Sequence, residues 1–228
     1  MKKFIVLAVL FILPIVVYLF FASGVNNFAK LPELTENIND VQDFETLSGG
    51  KVTFGGKITI LSFFGDDAGH KKTSALNLNE KIYKRFNGFE DFQLVAVFPK
   101  DSESDAGKLK SELSFLTDTS NWNFVFGDKN QIHSLFNSLK TNFKLDPDLS
   151  TPYVFIIDKN LKLRGRDDDE DALGGMLYGY NTTSVAEINN KMIDDIKVVL
   201  AEYRMALKSN DKEGADKRDS YLKKVDKR

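Results

Sequence analysis

The sequence predicts an α/β domain: a central sheet, mixed or parallel, covered by helices on both faces. Three observations carry this. Three short runs, Ile58–Phe64, Phe92–Phe98 and Tyr153–Asp158, are apolar and rich in β-branched or aromatic residues, with almost no polar alternation. That is the pattern of strands buried on both faces. Segments with apolar residues at helical spacing lie between them, and the resulting order is β-β-α-β-α-β-α-β-β-α. Strands alternating with helices imply crossover connections in a covered sheet.

The elements follow in order. The segment from Asp43 to Gly65 reads as two short strands and a turn leading into the core strand Ile58–Phe64, with Gly49-Gly50 and Gly55-Gly56 marking the turns. Residues 74–86 form a helix with Ile82, Tyr83 and Phe86 on one side. After the strand Phe92–Phe98, Ser104 can cap a helix that repeats Leu109, Leu113 and Leu116. A short strand, Asn121–Gly127, precedes a helix carrying Ile132, Leu135, Phe136 and Leu139, for which Asp128 and Gln131 form a capping pair. The strand Tyr153–Asp158 turns at Lys159-Asn160 into LKLRGR and predicts a hairpin. Ser184 and Glu187 make a capping box for the last helix, whose apolar face runs from Val185 through Met192, Ile196 and Val199 to Leu207.

Composition narrows the function classes. The 228 residues are 42% hydrophobic and 28% charged, and about 150 of them remain for one well-cored domain once both ends are set aside. A formal net charge of -2 gives no bulk bias toward nucleic acid or anionic lipid. The chain has no cysteine, which excludes disulfides, thiolate metal sites, thiol nucleophiles and a lipidated N-terminal cysteine. No P-loop, GxSxG, HExxH or basic-aromatic nucleic-acid stripe is present.

The N-terminal run FIVLAVLFILPIVVYLFFA, Phe4 to Ala22, carries no charge and matches the length of a membrane span. Lys2 and Lys3 precede it and stay cytoplasmic under the positive-inside rule. A cleaved signal peptide is the rival reading: Ala22-Ser23-Gly24 offers a small-residue cleavage site, but the apolar run exceeds an ordinary signal core. The organisation read from the sequence is a cytoplasmic end at 1–3, a single-pass anchor at 4–23, a polar tether at 24–42, one domain at 43–207 and a charged tail at 208–228.

GGKITILSFFG at the first core strand, LVAVFPKDSESD at the second and STPYVFIIDKNLKLRGR at the hairpin, in that order and spacing, resemble the thioredoxin-like superfamily. The nearest likeness is to its Sco/SenC branch of cytochrome oxidase assembly proteins, with some peroxiredoxin-like character. The resemblance covers roughly Asp43 to Leu207 and implies a thioredoxin-like fold, a central mixed sheet flanked by helices. A single N-terminal anchor with the domain outside also fits that branch. It further implies a copper site made by a CxxxC pair after the first core strand and a histidine before the hairpin. Here the cysteine positions fall at about Gly69 and Thr73 and the histidine position near Leu149 or Ser150, so all three ligands are missing. Thiol redox catalysis is excluded with them. Thr151-Pro152 matches the superfamily's proline, which is often cis and faces the active-site loop.

Two stretches remain as candidates. The loop Asp66, Asp67, Gly69, His70 and Thr73 occupies the active-site position. Asp66 and Asp67 either complement the dipole of the following helix or, with His70, bind a divalent or cupric ion. Acids from Asp167 to Asp171 would have to complete such a site. The second stretch, LRGRDDDEDALGGMLYGY, sets Asp167, Asp168, Asp169, Glu170 and Asp171 after two arginines and before Met176, Leu177, Tyr178 and Tyr180. It reads either as a solvated acidic loop partly neutralised by Arg164 and Arg166, with the apolar residues packed on the sheet, or as a partner-binding surface. The expectation is a non-catalytic binding or assembly factor on the periplasmic side of a bacterial inner membrane, without cofactor or nucleic acid; the resemblance to the Sco/SenC branch implies a respiratory-complex subunit as its protein partner. The alternative is a cysteine-free metal-binding or metal-delivery protein using His70 and acids.

Overall fold

The computed structural model describes residues 2–22, 30–67, 69 and 71–204. The tail expected at 208–228 lies outside them, as do His70 and residues 23–29 of the anchor and tether. Helix α1, Lys2–Ala22, holds Pro14 inside it, and its apolar side chains from Val9 to Leu19 are exposed in every direction. Over the described residues no helix is long and apolar enough to cross a membrane; several α1 side chains, at 5, 6, 8 and 20–22, lie outside them.

The domain is an eight-stranded mixed sheet. Strands β3 (Ile58–Phe64), β4 (Phe92–Pro99) and β5 (Trp122–Gly127) run parallel, and β6 (Ser150–Ile157) returns antiparallel beside β3. The order is β1-β7-β6-β3-β4-β5-β2, with β1 (Glu33–Thr35), β2 (Glu45–Thr46) and β7 (Leu163–Arg164) as short strands and β8 (Tyr180–Asn181) paired to β6. Every residue of β3 is buried, as its unbroken apolar run requires of a central strand. The pleat sends Ile58, Ile60 and Phe64 to one face and Leu61 and Phe63 to the other.

Three helices cover the first face: α2 (residues 72–86), α3 (Glu103–Ser114) and α5 (residues 185–204). The second face is covered by α4 (Lys129–Ser138) and by the chain preceding β3. Both α2 and α5 contain a π turn, at Asn79–Tyr83 and Ile188–Met192. The Asp128–Gln131 capping box is present in both directions. The Ser184 box is half made: Ser184 accepts from the Glu187 N–H, but the Glu187 carboxylate accepts instead from the Asn181 N–H. Helix α3 has Ser102 rather than Ser104 at its N-cap, and the Ser102 hydroxyl donates to the Pro99 carbonyl instead of capping.

The tether read at 24–42 gives way to core structure from Leu31 onward. Its polar composition hid β1, which pairs with β7, and three buried apolar residues, Leu31, Ile38 and Val41. Asp40 fixes this segment by accepting hydrogen bonds from Val41 N, Phe54 N, the Thr53 hydroxyl and the Gln42 amide. Burial works against its charge, but these donors outweigh it and hold the Asp40 carboxyl below its ordinary value. Only β2 forms of the two strands expected between Asp43 and the core strand; residues 51–53 carry no regular structure and 54–57 form a turn.

Candidate functional site

The junction after β3 is built where two loops meet. Gly65 leaves the strand at φ +72°, and a Cβ there would lie 2.6 Å from the Asp148 carbonyl and 2.9 Å from the Ser150 Cβ. Only glycine satisfies both conditions. Asp66 N then donates to the Asp148 carbonyl, and Phe64 pairs with Ser150 across a register shift. Residues 64–66 and 148–150 therefore touch directly. The positions matched by resemblance to the copper ligands come from these two converging loops. Leu149, at φ +65°, is buried, and the buried Ser150 hydroxyl is committed to Asp148 at 2.7 Å. Gly69 and Thr73 are exposed. Neither those two nor Leu149 and Ser150 can supply a thiolate or an imidazole.

The Thr151–Pro152 bond is trans; no cis peptide occurs among the described residues. The cis expectation fails because this pair is already inside β6, where the extended chain carries the Pro152 carbonyl to the Thr182 N–H and hydroxyl. Helix α2 starts at Lys72, its N-cap is Lys71 without a side-chain cap, and Lys72 N donates to the Gly69 carbonyl. Asp66 and Asp67 are exposed. Among the described residues no three histidine, aspartate or glutamate side chains are grouped to hold a metal; His70 lies outside them. A shallow cleft beside the junction is lined by Asp67, Gly69, Lys72, Asp105, Lys108 and Glu112, with ion pairs Lys72–Glu112 at 2.7 Å and Lys108–Asp105 at 2.8 Å. Such exposed pairs contribute little to stability and give the rim a mixed charge.

The acidic stretch is divided by the fold. Asp167, Asp168, Glu170 and Asp171 are exposed, while Asp169 is buried. Asp169 accepts from Lys191 at 2.6 Å and lies 3.6 Å from Arg166. Burial opposes its charge, but Lys191, the Asp171 N–H and Arg166 keep it below the ordinary carboxylate range. Tyr180 is fully buried and Leu177 nearly so, so neither belongs to a partner surface. Met176 and Tyr178 are half-buried, with Tyr178 packed on the second-face core. Packing of Leu177 and Tyr180 against the first-face core explains why so long a connection stays in place.

Arg166 partly neutralises the acidic stretch through Asp169, as expected, but Arg164 is turned to other partners. Arg164 is 1% exposed and donates to Asp158 (2.9 Å), Glu202 (2.6 Å) and the Leu31 carbonyl (2.9 and 2.5 Å). Burial acts against its charge, and the two carboxylates more than offset this, raising its pKa. Arg166 makes a two-point contact with Asp195, at 2.8 and 3.0 Å, and the Tyr180 hydroxyl donates to the same carboxylate at 2.6 Å. Burial, then the Asp195 charge, pushes the Tyr180 phenol well above its ordinary value. The sequence holds one sign of this cluster. Asp195 stands three residues after Met192 and four before Val199, on the apolar face of α5, where a lone carboxylate requires a cation opposite it.

No family model matches the sequence, and no curated protein is similar to it. Solved structures are similar in fold. A Bacteroides thetaiotaomicron protein assigned by name to the protein disulfide isomerases is 14% identical at a TM-score of 0.53, covering 78% of this chain and 98% of its own. A SCO1/SenC family lipoprotein from Bacillus anthracis is 20% identical at a TM-score of 0.53, covering 75% and 99%. BsSco, a member of the Sco family of cytochrome c oxidase assembly proteins, is 16% identical at a TM-score of 0.50, covering 75% and 98%. Identities this low establish the architecture: the chain is a cysteine-free protein of thioredoxin-like fold.

Proposed function

We propose that this is a membrane-tethered, non-catalytic thioredoxin-like protein that binds a partner and assists its assembly. The observation that carries the reading is the junction itself. Its two loops remain locked together through Gly65, Asp148 and Ser150, while the positions of thiolate and imidazole ligands hold Gly69, Thr73, Leu149 and Ser150. A scaffold kept in this form without its redox or copper chemistry is suited to recognition.

Tethering is supported by α1. Twenty-one residues rise about 31 Å, close to the hydrocarbon thickness of a bilayer. A helix apolar on every side and exposed on every side belongs in lipid. Lys2 and Lys3 orient it with the domain outside, on the periplasmic side of a bacterial inner membrane. The process, biogenesis of a respiratory complex, is drawn by analogy from the oxidase assembly role named for BsSco.

The test is affinity purification of the tagged full-length protein from gently solubilised native membranes, with mass spectrometry of proteins and metals. Reproducible recovery of oxidase or other respiratory subunits without stoichiometric metal is the expected result. Purifications that never enrich a respiratory component refute the assembly role. Stoichiometric metal on the lone protein replaces it with metal delivery, and His70→Ala is then the variant to titrate.

A further inference from the structure

Lys110 on α3 rests on an aromatic ring without a carboxylate beside it. Lys108 on the same helix pairs with Asp105, and Lys72 at the start of α2 pairs with Glu112 of α3. The Lys110 ammonium has no carboxylate partner among the described residues and instead sits 5.5 Å above the centre of the Phe124 ring. Burial lowers its pKa, as expected for an amine partly withdrawn from water without a counter-charge.

Lys110 lies in a groove of 420 Å³ bounded by Leu47, Gly107, Ser111, Ser114 and Phe115. Positions 107, 110, 111 and 114 fall on one face of α3 at helical spacing. The Ser114 hydroxyl donates to the Lys110 carbonyl, whereas the Ser111 hydroxyl makes no hydrogen bond among the described residues. Leu47 is 38% exposed and Phe115 90%, so apolar surface stands open beside an unpaired cation. Gly107 is a separate sign. It sits inside a helix, where glycine is unfavourable, and a Cβ there would meet nothing within 4 Å. Neither packing nor a positive φ demands glycine; its effect is to leave the groove open.

We propose that this groove binds an anionic amphipath, a carboxylate joined to an aliphatic or aromatic body. The Lys110 ammonium and Ser111 hydroxyl take the head group, and Leu47 and Phe115 lie along the body. The volume is within the range of small-molecule sites, about 300–1,000 Å³. The ammonium favours an anion, and the open phenyl and leucyl surfaces beside it favour an apolar remainder in the same molecule. This site is independent of the assembly role.

The experiment is calorimetric titration of the full-length protein in nanodiscs, with empty discs subtracted, using octanoate, octanol and octylammonium as probes. Octanoate binds saturably at one per chain, and octanol and octylammonium bind at least about tenfold more weakly. Lys110→Gln weakens octanoate by about tenfold or more, Lys110→Arg keeps it within about threefold, and Gly107→Leu blocks it by filling the groove. Unchanged emission from Trp122 verifies that each variant is folded. Octanol binding as tightly as octanoate, Lys110→Gln and Gly107→Leu both behaving as wild type, or heats equal to those of empty discs would each overturn the proposal.

Discussion

Replacing Arg164 by methionine isolates what a buried cation does in this fold. Methionine keeps much of the stem volume but removes four hydrogen bonds: two to the Leu31 carbonyl and one each to Asp158 and Glu202. Glu202 is 21% exposed on its side chain and can rehydrate; Asp158, at 0%, cannot. Asp158 keeps the N–H groups of Asn160 and Lys162 but loses its counter-charge. Stranding one member of a buried pair costs about 3–5 kcal/mol, and the orphaned Leu31 carbonyl places the variant in the upper part of that range. Urea unfolding followed through Trp122, the sole tryptophan and fully buried, reads the loss as a lower midpoint at constant slope. Adding Asp158→Asn removes the stranded charge while retaining a side-chain acceptor for the turn. The double variant should therefore recover about 2 kcal/mol or more relative to the sum of the single changes. A single-variant loss below about 1 kcal/mol, or strict additivity in the double variant, refutes the reasoning.

Three further outcomes are expected. Gly65→Ala loses at least about 2 kcal/mol in the same urea assay, from the left-handed backbone and the contact with Asp148; a neutral effect would mean the two loops do not interlock. Gly107→Ala gains about 0.5–1 kcal/mol, because its methyl group enters open space on a helix; a loss would show that the groove floor is tighter than described. Asp40 and Asp169 have folded pKa values below their unfolded ones, so their stabilisation is present above the unfolded value, about pH 4, and lost as pH falls through the lower folded values. Urea midpoints measured from about pH 6 down to 2 should fall in that acid range, and Asp40→Asn should flatten the fall. An acid limb identical in Asp40→Asn removes Asp40 from the account.

The core of the fold was legible because its strands are apolar without alternation. Ile58–Phe64 and the runs at β4, β5 and β6 announce burial on both faces, and the Asp128–Gln131 pair marks a helix start through its own hydrogen bonds. β1 was not legible: ELT gains its place only by pairing with β7, far along the chain. The setting of Pro152 likewise escapes local reading, because its carbonyl is met by Thr182, 30 positions away. At the candidate site, the loss of ligands could be read directly, since the absence of cysteine requires no coordinates. The partition of the acidic stretch could not. Asp169 differs from its neighbours Asp168 and Glu170 in being buried against Lys191, which α5 brings there. Local sequence cannot distinguish one aspartate from the next when the difference is a long-range partner.

Arg164 also has a mechanical meaning. Its guanidinium holds Leu31, the start of the described domain, to Asp158 at the β6–β7 turn and to Glu202 near the end of α5. A pull applied to the chain at Leu31 reaches that guanidinium before it reaches the sheet. The load is then shared between a strand turn and a helix separated by 44 positions in sequence. One side chain hidden from solvent thus ties together three segments that lie far apart in the sequence.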